Sequence, residues 1–274
     1  DIIDPSKRIE EIGSFGDLQA GWYWQSEEIP PFDEMQAQHD ALADTLRAEG
    51  AEVVYLEGVK ENQFKSVYTR DSAFAIKGGA IVSRMAPRMR QGEEQTVART
   101  LANLGMPILR TISGNGMIEG GSFAWLNSRT AVVGRGIRVN DEAIEQTAEV
   151  LKRQGVDLLV VDLPAYSIHI DGWMLMIDVD LCLLDPRGLP YSFLENLRAM
   201  GIRTIEISPE DDAWIVNALA VRPGRVIMPG GTSNRTADEL DKHGIEIITV
   251  DYGKMQLGGG GIHCSTCPLI RESV

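Results

Sequence analysis

An internal repeat is the feature of this 274-residue chain that most constrains its fold. Five segments each read as a helix, then a glycine, then a short β-branched strand. The closing glycines lie 43 to 55 residues apart and are Gly50, Gly105, Gly155, Gly201 and Gly244. A glycine just past a helix end supplies the left-handed backbone that other residues adopt only at a cost. The spacing therefore predicts five copies of one supersecondary unit.

Apolar stretches broken by turn residues lie between the predicted helices and are typical of β-hairpins. They cover residues 72–84, 121–136, 172–188 and 214–230, and the glycine-rich stretch 258–270 is the expected fifth. Each unit then reads strand, strand, helix, strand, and no unit buries its apolar face alone. We predict one domain over residues 1–274, a five-bladed pseudo-symmetric α/β propeller of ββαβ units. A general α/β sheet is the alternative.

The charge balance and the cysteine count exclude several classes of function. Acidic residues outnumber basic ones by 40 to 26, for a formal charge of −14, whereas nucleic-acid partners need a positive surface. No apolar run approaches the ~20 residues of a membrane-spanning helix, so no membrane partner is expected. Three cysteines do not form a disulfide framework, and the first residues show no signal-peptide pattern. A cytoplasmic location is the expectation.

Short polar motifs stand at matching places in successive units. They are Tyr68-Thr69-Arg70-Asp71, Glu119-Gly120-Gly121-Ser122, His169-Ile170-Asp171, and Ile262-His263-Cys264 behind the glycines 258–261. In a radial assembly equivalent strand ends converge on the axis, so we expect the motifs to line one pocket. A thiol, an imidazole and three carboxylates suit nucleophilic attack on a planar cation, because carboxylates pair with guanidinium groups in bidentate fashion.

These motifs, in this order, resemble the guanidino-group-modifying superfamily of arginine deiminases, dimethylarginine dimethylaminohydrolases and amidinotransferases. The stretch GGGGIHCSTCPL is very similar to the C-terminal nucleophile segment of arginine deiminases. The resemblance covers most of the chain, from Lys65 to the C-terminus, and implies the five-bladed (pentein) fold. It implies that neither a cofactor nor a metal ion is needed.

The resemblance also implies a role for each motif residue. Cys264 would be the nucleophile that attacks the guanidinium carbon, and His169 would protonate the leaving amine and then activate water. Asp71, Asp171 and Glu119 would hold guanidinium nitrogens. The intermediate would be an amidino group bound covalently to sulfur.

Further positions concern the rest of the substrate. By the same match, Arg90 and Arg138 correspond to arginines that bind the substrate carboxylate, which a guanidinium fits as a fork. The family tends to have Asn or Asp six residues before Asp71, where this chain has Lys65, and Ser122 replaces an aspartate. A cation at position 65 would repel an α-ammonium group. The substrate amine is then held by another group or is absent, as in an ω-guanidino acid.

The predicted activity is hydrolysis of a C–N bond in a small guanidino compound that carries a carboxylate. Transfer of the amidino group to an amine, and hydrolysis of a ureido compound such as citrulline, stay open as alternatives. A non-enzymatic alternative is the ribosome anti-association factor, which shares the fold. The Cys/His/carboxylate set and the acidic charge argue against it. The oligomeric state is open, a homo-oligomer included.

The remaining cysteines and one histidine have simpler expected roles. Cys267 forms a Cys-x-x-Cys with Cys264, but no second pair completes a zinc site, so we expect Cys267 to be structural. Cys182 lies in an apolar run and is expected in the core. His263 would point away from its neighbour Cys264 if this segment is extended.

Overall fold

The structure, a computed structural model, describes residues 30–60, 63, 65–87, 90–164 and 167–271. Its six helices within these ranges are α1 (Phe32–Ala48), α2 (Glu93–Asn103), α3 (Asp141–Arg153), α4 (Tyr191–Ala199), α5 (Asn234–Lys242) and α6 (Gly253–Leu257). The strands are β1 (Ala73–Ile76), β2 (Gly79–Val82), β3 (Ile108–Thr111), β4 (Phe123–Asn127), β5 (Thr130–Arg135), β6 (Asp157–Asp162), β7 (Met174–Asp178), β8 (Leu181–Leu184), β9 (Arg203–Glu206), β10 (Leu219–Arg222), β11 (Arg225–Pro229) and β12 (Glu246–Val250). None of the described helices is long and apolar enough to cross a bilayer.

The strands form four three-stranded sheets of one design. In every sheet the first two strands make an antiparallel hairpin, and the third strand pairs parallel with the second. A helix connects the second strand to the third, because parallel neighbours need a crossover connection. The predicted ββαβ repeat is therefore confirmed for four units.

The fifth predicted unit has its helix, α1, but not its strands. Among the described residues, neither 51–57 nor 258–270 forms a strand, so the prediction of strands in these two stretches is wrong. The C-terminal stretch begins with a glycine run, which loses more conformational entropy in a strand than other residues do. Within the part of the chain that the structure describes, residues 51–57 pair with no strand, and Val54 and Tyr55 are 44% and 48% exposed.

The described residues divide into two compact units, each made from two segments of chain. The β1–β6 unit comprises residues 55–170 and 264–271, and the β7–β12 unit comprises residues 30–54 and 171–263. Each has its own apolar core, formed by the inner faces of its sheets and helices. The single domain over residues 1–274 stays a prediction, and residues 1–29 and 272–274 lie outside the described residues.

Helix α3 shows how the sequence pattern leads to packing. The Asn140 side chain accepts a hydrogen bond from the backbone N–H of Ala143 at 3.2 Å and caps the helix N-terminus. Ala143, Ile144 and Leu151 lie on one face and are buried in the core of the β1–β6 unit. The apolar residues of the helix thus form its buried face.

All five closing glycines adopt the left-handed conformation that their position predicts. Their φ values lie between 69° and 89°. A Cβ atom built at any of the five would meet no atom within 4 Å. Their requirement for glycine therefore comes from the backbone conformation and not from a lack of space.

Replacement of Gly201 by alanine isolates this backbone cost. We expect the free energy of unfolding to fall by about 1–2 kcal/mol, because a side chain is strained at a φ of 76°. Gly230→Ala in the same unit is the control, since the space at Gly230 is also open and its φ is outside the left-handed region. Urea denaturation followed by circular dichroism measures both, and equal effects would contradict the assignment.

Candidate active site

The polar motifs lie on one-turn 3-10 helices that precede the first strand of each hairpin. These turns are Thr69–Asp71, Gly120–Ser122, Ile170–Gly172 and Ala213–Ile215. Asp71 ends the first turn, Glu119 immediately precedes the second, and His169 immediately precedes the third. The repeat therefore places a chemically active side chain on or beside the same turn of three successive units.

Asp71, Glu119 and His169 form a buried cluster within the β1–β6 unit. The Nε2 atom of His169 is 2.7 Å from Oε2 of Glu119, and its Nδ1 atom is 3.5 Å from Oδ1 of Asp71. A carboxylate therefore faces each nitrogen of the imidazole. Oδ1 of Asp71 has no hydrogen-bond partner within the described part of the chain, although it is buried.

Glu119 is fully buried and is surrounded by hydrogen-bond donors. Its carboxylate accepts from the Ala86 N–H at 3.1 Å and from Nη1 of Arg138 at 3.1 and 3.3 Å, besides its contact with His169. Burial alone would raise the pKa of Glu119. Arg138, His169 and Arg90 outweigh burial and hold that pKa well below its ordinary value. Glu119 is thus a permanent anion.

Arg90 is committed to partners inside the protein. Its Nη1 atom donates to Oδ2 of Asp71 at 2.5 Å, and its Nε and Nη2 atoms donate to Glu93 at 2.9–3.3 Å. Nη2 also donates to the carbonyl oxygens of Lys65 and Tyr68. Burial would lower the pKa of Arg90, but Glu93 and Asp71 raise it well above its ordinary value.

The predicted role of Arg90 as a ligand of the substrate carboxylate stays a prediction. Its guanidinium group already holds two carboxylates of the protein. Sequence reasoning missed Glu93, which is 1% exposed. The available signal was its position in the first turn of α2, three residues after Arg90.

Arg138 differs from Arg90 in its unused hydrogen-bonding capacity. Its Nη1 atom holds Glu119, whereas its Nε atom is buried and has no partner among the residues that the structure describes. A buried N–H group without an acceptor is costly, so this nitrogen is suited to an incoming anion. The predicted contact between Arg138 and a substrate carboxylate stays a prediction.

Cys264 is buried in the β1–β6 unit, and its backbone is anchored to the turn that carries Asp71. The Arg70 N–H donates to the Cys264 carbonyl oxygen at 3.0 Å, and Oγ1 of Thr69 donates to the Ser265 carbonyl oxygen at 3.3 Å. The backbone of the predicted nucleophile is therefore hydrogen-bonded to the turn that carries Asp71, one of the predicted guanidinium-binding carboxylates.

The other two cysteines have raised pKa values, so their thiols stay protonated at neutral pH. Burial raises the pKa of Cys182 to about 12, and it also raises the pKa of Cys267. Cys182 lies in the core, as predicted. Cys267 donates from sulfur to the Ala73 carbonyl oxygen at 3.3 Å, which suits its predicted structural role.

Asp171 belongs to the β7–β12 unit, where it pairs with His263. Nδ1 of His263 is 2.7 Å from Oδ2 of Asp171, and both side chains are buried. Residues 262–265 form a turn, so the expectation of an extended segment at His263 is wrong. Strand alternation does not apply in a turn.

The two positions that depart from the family pattern are both buried in the β1–β6 unit. Oγ of Ser122 donates to the carbonyl oxygen of Ile168, the residue before His169, at 3.3 Å. The carbonyl oxygen of Lys65 accepts from Arg90. Both residues therefore support the backbone around the cluster.

Three atoms of Asp71, Glu119 and His169 lie within 4.8 Å of one another and could together hold a metal ion. The carboxylates of Asp71 and Glu119 are already paired with Arg90 and Arg138. Asp71, Glu119 and Glu93 carry three formal negative charges, and Arg90 and Arg138 carry two positive charges. With a neutral imidazole, the formal net charge of the cluster and its arginines is therefore −1. This balance suits an organic monocation better than a divalent ion.

Comparison with known proteins identifies relatives across nearly the whole chain. A family model described as "N,N dimethylarginine dimethylhydrolase, eukaryotic" matches residues 23–271. The protein YkgA of Bacillus subtilis is 30% identical over 237 residues, which cover 85% of this chain and 79% of YkgA. The N(G),N(G)-dimethylarginine dimethylaminohydrolase of Pseudomonas aeruginosa is 24% identical over 238 residues, which cover 86% of this chain and 88% of that enzyme.

A solved structure shows the same fold. It is the Pseudomonas aeruginosa dimethylarginine dimethylaminohydrolase, in a Cys-to-Ser mutant complexed with citrulline. Its TM-score is 0.77 at 22% identity, over 92% of this chain and 96% of that one. The ββαβ units described above are thus those of an α/β propeller of the pentein type.

Replacement of Gly121 by alanine tests how closely the cluster is packed. The added Cβ would lie 2.7 Å from Nδ1 of His169 and 2.8 Å from Oδ1 of Asp71. Both the imidazole and the carboxylate must therefore move away from residue 121. We expect a loss of about 1–3 kcal/mol in the free energy of unfolding and a shifted His169 ring signal in NMR spectra. The ring signal of the distant His243 is the internal control. An unmoved His169 signal would contradict the geometry.

Replacement of Glu119 by glutamine tests its low pKa. Because the native pKa is below the unfolded value of about 4.3, ionised Glu119 stabilises the native state at neutral pH. That stability is lost as the pH falls from about 4.3 toward the native pKa. We expect the variant to be less stable by about 3–5 kcal/mol at pH 7, because Arg138 loses its partner.

The same substitution should also make the free energy of unfolding less dependent on pH in the acid range, because a glutamine does not titrate. The measurement is urea denaturation of wild type and variant between pH 7 and the acid transition. Glu145→Gln on the exposed side of α3 is the control and should behave as wild type. Parallel pH profiles for wild type and Glu119→Gln would contradict the assigned pKa.

Proposed function

We propose, because this chain belongs to the N,N-dimethylarginine dimethylhydrolase family, that it hydrolyses a C–N bond of a guanidino compound through a covalent intermediate on Cys264. The observation that carries the proposal is the buried cluster of Asp71, Glu119 and His169 in the unit that holds buried Cys264. The net negative charge of that cluster suits a guanidinium cation.

The carboxylates bind and orient the guanidinium group. Oδ1 of Asp71 is a buried acceptor that still lacks a donor among the described residues, and guanidinium N–H groups supply such donors. Glu119 stays ionised at every pH of interest and holds His169 in place through Nε2. The contact of Asp171 with another guanidinium nitrogen stays a prediction from the family resemblance. Orientation matters because charge delocalisation makes the guanidinium carbon a weak electrophile.

The reaction then proceeds in two stages. The Cys264 thiolate attacks the guanidinium carbon, and a tetrahedral adduct forms. His169 gives a proton to the leaving nitrogen, the C–N bond breaks, and the amidino group stays on sulfur as a thioether cation. His169 next takes a proton from water, whose oxygen attacks the same carbon. The C–S bond breaks, and the products are a ureido compound and the free Cys264 thiol.

The rest of the substrate carries a carboxylate in this proposal. Nε of Arg138 is the buried donor that such a group would satisfy. Arg90 contributes indirectly, because it holds Asp71 in position at 2.5 Å. The cation at Lys65 favours a substrate whose α-amino group is absent or bound elsewhere. An ω-guanidino acid meets both conditions.

The deciding experiment measures ammonia, amine and ureido release from arginine, methylated arginines, agmatine, guanidinoacetate, 3-guanidinopropionate and 4-guanidinobutyrate. Citrulline is included for ammonia release alone. We expect turnover of at least one guanidino compound, and a loss of about a thousand-fold or more in kcat for Cys264→Ser. Cys267→Ser is the matched control, because it removes the neighbouring thiol and keeps a hydrogen-bond donor for Ala73.

Reaction in ¹⁸O-labelled water separates hydrolysis from amidino transfer. Hydrolysis places one labelled oxygen in the ureido product, whereas transfer to an added amine yields a new guanidino compound without label. Turnover that survives in Cys264→Ser would overturn the covalent mechanism. The absence of turnover on every guanidino compound of the panel would overturn the proposed hydrolysis, and release from citrulline alone would indicate a ureido hydrolase.

A further inference from the structure

Glu93 is a buried carboxylate that the proposed mechanism does not use. It lies in the first turn of α2 and is 1% exposed. Nε of Arg90 donates to Oε1 and Oε2 of Glu93 at 3.1 and 3.3 Å, and Nη2 donates to Oε2 at 2.9 Å. We propose that Glu93 is a specificity-determining residue, whose charge balances Arg90 so that the site prefers a guanidinium cation to a neutral ureido group. This inference rests on the proposed function.

The guanidinium group of Arg90 joins Glu93 to the Asp71 carboxylate. Its Nε and Nη2 atoms face Glu93, whereas Nη1 donates to Oδ2 of Asp71 at 2.5 Å. A guanidinium group is planar and rigid, so a carboxylate on one edge fixes the direction of the remaining N–H groups. Oδ1 of Asp71 has no hydrogen-bond partner among the described residues. Glu93 therefore acts on a cation at this oxygen through Arg90 and Asp71.

The charges of these three groups show what Glu93 adds. The charges of Asp71 and Arg90 alone would cancel, and a cation at Oδ1 of Asp71 would be repelled by Arg90 almost as much as it is attracted by the carboxylate. With Glu93 the three groups carry a formal charge of −1. Their side chains are at most 8% exposed, so solvent and salt weaken these interactions little.

The protonation of Glu93 is subject to opposing influences. Burial raises the pKa of Glu93, and the carboxylates of Asp71 and Glu119 act in the same direction, whereas Arg90 acts against them. Oε2 of Glu93 also accepts from Oγ of Ser72 at 3.4 Å. Hydrogen bonds from Arg90 and Ser72 favour the ionised form. A neutral Glu93 would not balance Arg90, so this inference requires the ionised form at the pH of the assay.

Substrate and product of the proposed reaction differ in charge at the group that this part of the site would bind. Hydrolysis converts a guanidinium cation into a neutral ureido group of similar shape. A site with a net negative charge attracts the cation and gives the neutral group no such advantage. The charge of Glu93 therefore favours replacement of the bound product by new substrate.

Calorimetric titration of the Cys264→Ser protein measures this preference without turnover. The ligands are a guanidino compound that wild type turns over and the ureido product of the same compound. Glu93→Gln, added to this protein, keeps the approximate shape of the side chain and removes its charge. We expect the Kd of the guanidino compound to rise about tenfold and the Kd of the ureido product to change less than about threefold.

Two further variants of the Cys264→Ser protein separate charge from structure. The Glu94 carboxylate accepts from the backbone N–H groups of Met85 and Gly92, so Glu94→Gln disturbs the same segment and should leave the ratio of the two Kd values unchanged. Arg90→Gln combined with Glu93→Gln removes both charges of the pair and restores the net charge. We expect its ratio to return to within about threefold of that of Cys264→Ser alone. If Glu93→Gln does not fold by itself, the double variant decides.

The outcomes distinguish this inference from the proposed function. If wild type is active but Glu93→Gln weakens both ligands equally or neither of them, the specificity role is overturned while the proposed function stands. The same holds if Glu94→Gln lowers the preference for the cation as far as Glu93→Gln does, or if the double variant loses that preference. If wild type acts on no guanidino compound, the proposed function fails, and this inference fails with it.

Discussion

The pairing of buried carboxylates with buried arginines is the interaction on which the rest of the site depends. Asp71, Glu119 and Glu93 are almost fully buried, and taking an isolated carboxylate out of water costs several kcal/mol or more. Arg90 and Arg138 offset that cost through close hydrogen bonds. The pairing with Arg138 helps to hold the pKa of Glu119 well below its ordinary value, so this carboxylate is ionised in the interior, where its attraction for a bound cation is least weakened by solvent.

The repeat explains how one chain can assemble such a site. Each of the four described ββαβ units begins with a one-turn 3-10 helix. Asp71 lies in the first of these turns, and Glu119 and His169 immediately precede the second and the third, whereas the hairpins and helices that follow supply support. The fold is thus a scaffold, and the candidate site residues lie on or beside the turn that opens each of three units.

Predictions from the sequence succeeded where the determining forces are local. The closing glycines follow from backbone sterics alone, and all five adopt positive φ. The ββαβ order follows from hairpin turns and helix periodicity, which involve neighbours in the chain. The strands of the fifth unit were predicted wrongly, because a strand forms only when another strand pairs with it. The composition of residues 51–57 favours a strand, but no strand pairs with them among the described residues. The site residues were predicted from the family resemblance, and their catalytic roles stay predictions that the proposed experiments test.

The sequence by itself determined the repeat, the residue types of the site and the family to which they point. Only the tertiary structure decided the partners: Arg90 with Asp71 and Glu93, Arg138 with Glu119, and His263 with Asp171. These pairs join residues up to 92 positions apart. Motifs in the sequence show which groups are present. Hydrogen bonds depend on distances of about 3 Å, which are set only when the chain folds.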